Sequence, residues 1–515
     1  MQIYSFSVFG YEGALVSVEV DLRRGIPAID VVGLADGAVK ESRERMRSAI
    51  RNSGYEFPME RVLISLSPAD LKKEGAGFDL AIALAVLEAS SDEERRIDSI
   101  LIMGELELNG RVRPVRGVRA AVSTAFDAGI SYCIVPQENA EEAMEVEGMK
   151  VFGASLLSEA YEALGSKESF MEREGRSTDE TSNLPEGYVE LDGVYFARID
   201  PAKDYEDVKD QEYLVRGLQI AAAGSHNLMA YGPPGCGKSL ALQRFSELLP
   251  LLTVEEAQNV TRIYSLASLL PAGTSLIRTP PFRMPHQTAT IEGICGGGVK
   301  CGPGEISLAH NGVLFLDEAA EYKSSVLQML RVPIECGSIT LSRAGRSTSF
   351  PAKFQLIMAT NPCPCGNYGS EEELCLCSAH SIEQYWKKFS APLLDRIDIR
   401  IHVNKRRGTI KGRSTKDLRN DIARAVSIQR KRQNKRNASL TPKEIAEYCQ
   451  CTNEAREYLD EKSQTFNLSP RGISACLKLS RTICDMEGKE VIDIKAMEEA
   501  VDYRKNQGGL DLALL

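Results

Sequence analysis

The chain reads as an α/β protein in which a parallel sheet is preceded by an α+β region and followed by helices. Three observations carry that reading. An apolar strand, Asn227–Tyr231, runs into a glycine-rich loop and then a helix-like run, Leu240–Leu249. A second apolar run, Gly312–Leu316, ends in two carboxylates, Asp317 and Glu318. A third, Phe354–Thr360, ends in Asn361. Short continuous apolar strands are what a sheet covered on both faces requires.

Taken in order, residues 1–165 open with alternating apolar positions, Ile3, Tyr4, Phe6 and Val8, then Leu15, Val16, Val18 and Val20, which predict strands. A helix is expected over Gly37–Ser53, strands at Val62–Leu66, Ser99–Leu108 and Tyr132–Val135, and a small-residue core helix over Asp79–Ala89. Residues 166–193 turn to Glu, Ser, Thr, Asp and Gly and are expected to act as a linker that lets the first region move. The core spans 194–404, and 405–515 are mostly helical. Thr441-Pro442-Lys443-Glu444 places an N-cap, a proline at the first helical position and a capping-box glutamate, and Ser469-Pro470 repeats part of that signal.

With 515 residues, 43% apolar and 26% charged, the composition is that of a globular protein with several cores. No run of 18 apolar residues occurs, and the first ten residues lack a basic segment followed by an apolar one. A cytoplasmic protein without membrane association is expected. Thirteen cysteines fit reduced thiols and a metal site better than a disulfide framework.

The loop Gly232, Pro233, Pro234, Gly235, Cys236, Gly237, Lys238 and Ser239 has the pattern that cradles nucleotide phosphates. Its glycines turn backbone N–H groups inward, Lys238 reaches the β- and γ-phosphates, and the Ser239 hydroxyl ligates Mg²⁺. Asp317 is expected to hold the same ion and Glu318 to orient the attacking water, with Asn361 beside the γ-phosphate. Together they predict ATP hydrolysis with Mg²⁺ rather than passive binding.

Net charge is −10, yet Arg400–Arg436 holds fourteen Lys or Arg against Asp417 and Asp421, including Lys405, Arg406 and Arg407. Such a cluster suits a phosphate backbone; a solvated helix face is the alternative. Cys363, Cys365, Cys375 and Cys377 form two C-x-C pairs that can hold one tetrahedral Zn²⁺, against four unligated thiols. Cys449 with Cys451, and Cys295 with Cys301, lack that symmetry. His286, His310 and His380 are isolated and expected to serve hydrogen bonding.

Several longer words then resemble one family. Beside the loop stand Pro281-Phe-Arg-Met-Pro-His286, Pro303–Glu318, Asn361-Pro-Cys-Pro-Cys-Gly366, Pro392-Leu-Leu-Asp-Arg396 and Ser469-Pro-Arg-Gly472. The chain is similar to AAA+ ATPases of the magnesium-chelatase-like group, the ComM/YifB family, over nearly its whole length. The resemblance implies a hexameric ring, a homo-oligomeric DNA motor that drives branch migration and helps single-stranded DNA integrate during natural transformation or recombination. It assigns Asn361 as first sensor, Arg471 as second, and Arg396 as an arginine finger reaching a neighbour's nucleotide. An intrachain ion pair of Arg396 with Asp395 or Asp398 is the alternative. Pro280–Gly304 and Gly337–Ser349 match insertions of the group, the second a hairpin. There Lys300, Arg343 and Arg346 face either single-stranded or branched DNA or a neighbouring subunit.

The first region resembles the proteolytic domain of Lon. Where that pattern carries its serine, this chain reads Lys73-Glu-Gly-Ala-Gly77-Phe-Asp79, and no Lys occurs between Gly104 and Met149, so an inactive protease fold is expected. A chelatase-type ATPase subunit is the second functional reading, and an ATP-dependent protease is disfavoured.

Overall fold

In the computed structural model the described residues are 1–7, 11, 13–33, 37–68, 73, 76–91, 97–171, 181, 184–267, 269–270, 276–298, 301–343, 346–369, 373–404 and 412–505. Five parallel strands form the central sheet, in spatial order Phe282–Arg283, Val313–Leu316, Gln355–Thr360, Leu228–Tyr231 and Ile399–His402. Every residue of the middle three is buried. Successive side chains of a strand point to opposite faces, and here they enter two cores. Leu228, Ala230, Val313, Phe315, Ile357 and Ala359 pack with Leu218 of helix Glu212–Gly224 and with the C-terminal helices. Met229, Tyr231, Leu314, Leu316, Leu356 and Met358 pack with Leu327, Trp386 and Phe389. Double coverage is why these runs lack polar alternation.

The first region is a seven-stranded mixed sheet, in order Ile29–Val32, Arg61–Ser67, Ala14–Arg23, Gln2–Ser7, Ser99–Ile102, Tyr132–Pro136 and Lys150–Ala154. Helices Gly37–Asn52 and Asp79–Ala89 form where the apolar spacing places them. Asp79 is fully buried and accepts Arg45 Nε at 3.0 Å and Nη2 at 3.3 Å, which supplies the counter-charge that a buried carboxylate needs. The expected strand Ser99–Leu108 is instead broken. Gly104 leaves the sheet, its N–H bonded to Gly77 O at 3.0 Å, and Glu105–Leu106 pairs with Val112–Arg113. A Cβ at Gly104 would lie 2.9 Å from Val112 and 3.0 Å from Leu80, so close helix packing explains both the glycine and the break.

Order extends into the stretch read as linker. Met171 bridges to Val151, and Val189–Leu191 pairs with Val194–Phe196. The first region also touches the core directly. Tyr11 OH donates to Asn259 Oδ1 at 3.2 Å, Thr348 Oγ1 accepts from Tyr11 N at 3.2 Å, and the Arg262 guanidinium lies 4.6 Å above the Tyr11 ring. Ser265 Oγ donates to Glu142 Oε1 at 2.7 Å.

The C-terminal helices are Thr415–Gln433, Pro442–Tyr448, Asn453–Thr465, Pro470–Glu487 and Ile494–Arg504. Thr441 and Glu444 form the capping box, and Ser469 Oγ accepts from Gly472 N at 3.0 Å. Part of the basic stretch is tied inside the fold, while Arg413, Lys416, Arg424 and Lys431 are exposed. Arg400 donates to Leu394 O at 2.7 Å. Arg419, 2% exposed, bonds Glu247 O and Ala197 O, both at 2.6 Å, and burial pushes its pKa down to about 10. Arg432 clamps Asp485 at 2.7 and 2.9 Å, and Lys435 pairs with Glu444 at 2.6 Å. Lys405, Arg406 and Arg407 lie outside the described residues. Among the described residues no helix is long and apolar enough to cross a membrane.

Asp485 is fully buried and also accepts Arg481 Nε at 3.1 Å and Asn437 Nδ2 at 2.8 Å. Removing it strands two guanidinium groups, so Asp485→Ala should cost about 3 kcal/mol or more in denaturant unfolding followed by circular dichroism. Lys435→Ala, which opens a half-exposed pair, should cost under about 1 kcal/mol.

Candidate active site

The parallel register brings the C-terminal ends of three strands to one edge, where open α/β sheets bind ligands. The phosphate loop leaves Leu228–Tyr231 there. At Gly232 a Cβ would lie 2.0 Å from Val403 O, which no side chain can occupy. Gly235 and Gly237 have φ of +75° and +83°, the left-handed region where only glycine is unstrained. Helix Lys238–Gln243 follows and tightens into a 3-10 segment, Arg244–Leu248, so the predicted helix begins earlier and changes type in its second half. Gln211 Nε2 holds the loop from behind, donating to Cys236 O at 3.0 Å and Asn404 O at 3.1 Å.

Lys238 is 7% exposed, and its Nζ donates to Gly232 O at 2.6 Å and Pro233 O at 2.8 Å. Burial is the main cause that lowers its pKa. An ammonium so enclosed, with carbonyls for its close acceptors, favours an anion beside it. Ser239 Oγ lies 3.2 Å from Asp317 Oδ1, so a hydroxyl and a carboxylate oxygen converge on one point from adjacent parts of the sheet edge. Hard oxygen donors of this kind suit Mg²⁺. The set therefore fits a magnesium-bound triphosphate.

Glu318 is exposed and has φ +47° and ψ +48°, an uncommon conformation for a residue with a side chain. Its N–H donates to Asp317 Oδ1 at 3.0 Å, and its carbonyl accepts from Glu321 N at 2.7 Å. This turn separates two neighbouring carboxylates: Asp317 faces Ser239, and Glu318 stands outward. Asn361 lies beside the loop through Gly366, where a Cβ would be 2.8 Å from Pro234 and 4.0 Å from Asn361 Cγ. Gly232 N also donates to Thr360 O at 3.3 Å.

Arg396 and Arg471 are brought together at Glu335. Arg396 donates to Pro392 O at 2.6 Å and pairs with one oxygen of Glu335; Arg471 Nη2 reaches the other oxygen at 2.7 Å. The alternative reading for Arg396, an ion pair with Asp395 or Asp398, is not the pairing found; its acidic partner is Glu335. Asp398 instead faces His226 Nδ1 at 3.3 Å, and Asp395 accepts Arg504 Nη2 at 2.9 Å and Ser469 Oγ at 2.8 Å. Hydrogen bonding from Arg396, foremost, holds the Glu335 carboxyl below its usual range. Sequence reasoning missed Glu335, because nothing near it in the chain signals that residues 396 and 471 converge there.

Cys363, Cys365, Cys375 and Cys377 cluster with all four Sγ atoms within 4.8 Å of one another. Three separations are 3.3, 3.7 and 3.6 Å. Four sulfurs about 2.3 Å from a tetrahedral centre would stand roughly 3.8 Å apart, so the donor set fits Zn²⁺. All thirteen cysteines are free thiols. His310 is buried, its Nδ1 accepting from Lys353 N at 3.0 Å, and His286 bonds Thr288. Arg343 and Arg346 face each other across the end of hairpin Ser338–Arg343 and Arg346–Pro351, but their side chains, like all of Lys300, lie outside the described residues.

Comparison with known proteins places the chain in a family. The family described as magnesium chelatase, subunit ChlI, matches residues 204–410, its C-terminal family matches 412–504, and subunit ChlI of Mg-chelatase matches 18–139. YifB of Escherichia coli is 37% identical over 98% of this chain and 96% of its own. Competence protein ComM of Haemophilus influenzae is 36% identical over 98% of this chain and 97% of its own. Lon protease 1 of Thermus thermophilus is 29% identical over 143 residues, 26% of this chain and 18% of that protease. With such likeness from end to end, and magnesium-chelatase-type domains carrying the phosphate loop, the chain belongs to the YifB/ComM family.

Proposed function

We propose that the protein is an ATP-driven motor that assembles into a hexameric ring, hydrolyses ATP at the seams between copies, and moves branched or single-stranded DNA during recombination or natural transformation. The observation that carries the ATPase is the convergence of Lys238, Ser239 and Asp317, with Ser239 and Asp317 3.2 Å apart and Glu318 turned outward beside them. Mg²⁺ held by Ser239 and Asp317 would supply charge neutralisation on the phosphates. Lys238 binds the phosphates, Glu318 accepts a proton from the water that it orients, and Asn361 fixes that water's position.

Two facts support the seam. Arg396 and Arg471 have partners other than the phosphate loop of their own chain, and arginine supplied from a neighbour is a recurrent way to stabilise transferring phosphoryl groups. The DNA substrate is supported by the relative named a competence protein and by Lys405, Arg406 and Arg407. A chelatase-type role is the second reading, favoured by the family matches over 204–410 and 412–504. The four cysteines are read as a structural Zn²⁺ site that staples the turn after Asn361 against the phosphate loop.

Branch migration of a synthetic junction should proceed with ATP and stop with a non-hydrolysable analogue. ATPase turnover indifferent to DNA would favour the chelatase reading. Lys238→Ala should weaken nucleotide binding at least tenfold in a fluorescent-nucleotide titration. Glu318→Gln should keep binding while lowering turnover a hundredfold or more, on the order of removing a positioned base; wild-type turnover would reject the role given to Glu318. Metal analysis of purified protein should find one zinc per chain, lost in a Cys375→Ser, Cys377→Ser double variant. Metal-free wild-type protein of equal thermal stability would reject the zinc site.

A further inference from the structure

Glu335 is a carboxylate that the nucleotide chemistry leaves unused, yet it joins three separate parts of the chain. It lies on helix Arg331–Cys336, while Arg396 follows helix Ala391–Leu394 and Arg471 opens helix Pro470–Glu487. Arg396 takes one of its oxygens and Arg471 the other, the latter at 2.7 Å. The nearest other acid, Asp395, is 4.0 Å from Arg471 and is already engaged by Arg504 and Ser469. Glu335 is thus the counter-ion of both guanidinium groups.

A carboxylate whose two oxygens each meet a guanidinium offers the same donors the geometry that a phosphate offers. It also relieves the repulsion between two neighbouring cations. Its side chain is 48% exposed, so the contact is in reach of solvent and weak enough to be exchanged.

We infer that Glu335 is an internal stand-in for the terminal phosphate of a nucleotide bound to a second copy of this chain. It holds Arg396 and Arg471 as one fork and gives them up when copies join. A terminal phosphate carries more charge and more acceptor oxygens than a carboxylate, so the exchange runs toward the phosphate once the copies meet. In separated chains Glu335 offsets one of the fork's two positive charges. The inference rests on the reading that hydrolysis occurs at a seam between copies.

The test is ATPase turnover and sedimentation of the full chain across a dilution series with ATP and Mg²⁺, for wild type, Glu335→Gln and Glu335→Ala. Because both variants release the arginines before assembly, the protein concentration of half-maximal turnover should fall roughly fivefold, as expected for two weak exposed contacts. The sedimentation midpoint should move with it. Midpoints equal to or above wild type in both variants overturn the stand-in, as does lost turnover at every concentration, which would make Glu335 part of the working fork. A wild type whose specific turnover ignores its own dilution would sink the seam reading itself, a result distinct from an unshifted Gln variant.

Discussion

The parallel register of Leu228–Tyr231 between Gln355–Thr360 and Ile399–His402 is the constraint on which the rest depends. With the parallel pairing of Val313–Leu316 on the other side of Gln355–Thr360, it makes Tyr231, Leu316 and Thr360 neighbouring strand ends, followed by the phosphate loop, Asp317 and Asn361. Alternate side chains of the same strands anchor two cores, so the edge cannot shift without disturbing packing on both faces. The short distance from Ser239 to Asp317 follows from that register. The left-handed turn at Glu318 then separates two adjacent carboxylates, one beside Ser239 and one exposed.

Positive charge is distributed by the same packing. Two arginines of the basic stretch become internal ties: Arg419 joins the last helical region to Ala197 and Glu247, and Arg432 joins two helices through Asp485. Arg396 and Arg471, by contrast, meet at an exposed acid on the side of the core that bears Arg331–Cys336.

What was legible in the sequence was local chemistry. The phosphate loop could be read because Gly235 and Gly237 answer a local need for positive φ, and the capping box at Thr441 because its partner Glu444 lies one turn away. Fully buried strands could be read from their unbroken apolar runs. The break at Gly104 could not, since it answers to Leu80 and Val112 on other elements. Neither could the fate of the basic stretch, which is decided by acceptors as distant as Ala197 and Asp485, nor the role of Glu335. Charge counts see residue types but not partners, and long-range pairing is what the fold adds.

Under the proposed function, one copy's arginine completes another copy's nucleotide site. Mixing two inactive proteins, Arg396→Ala and Glu318→Gln, tests it most directly, because only a seam can join the intact glutamate of one to the intact arginine of the other. Random co-assembly in equal amounts should restore turnover to about a quarter of the sites. A mixture as inactive as its components, with co-assembly verified by sedimentation, would contradict the account.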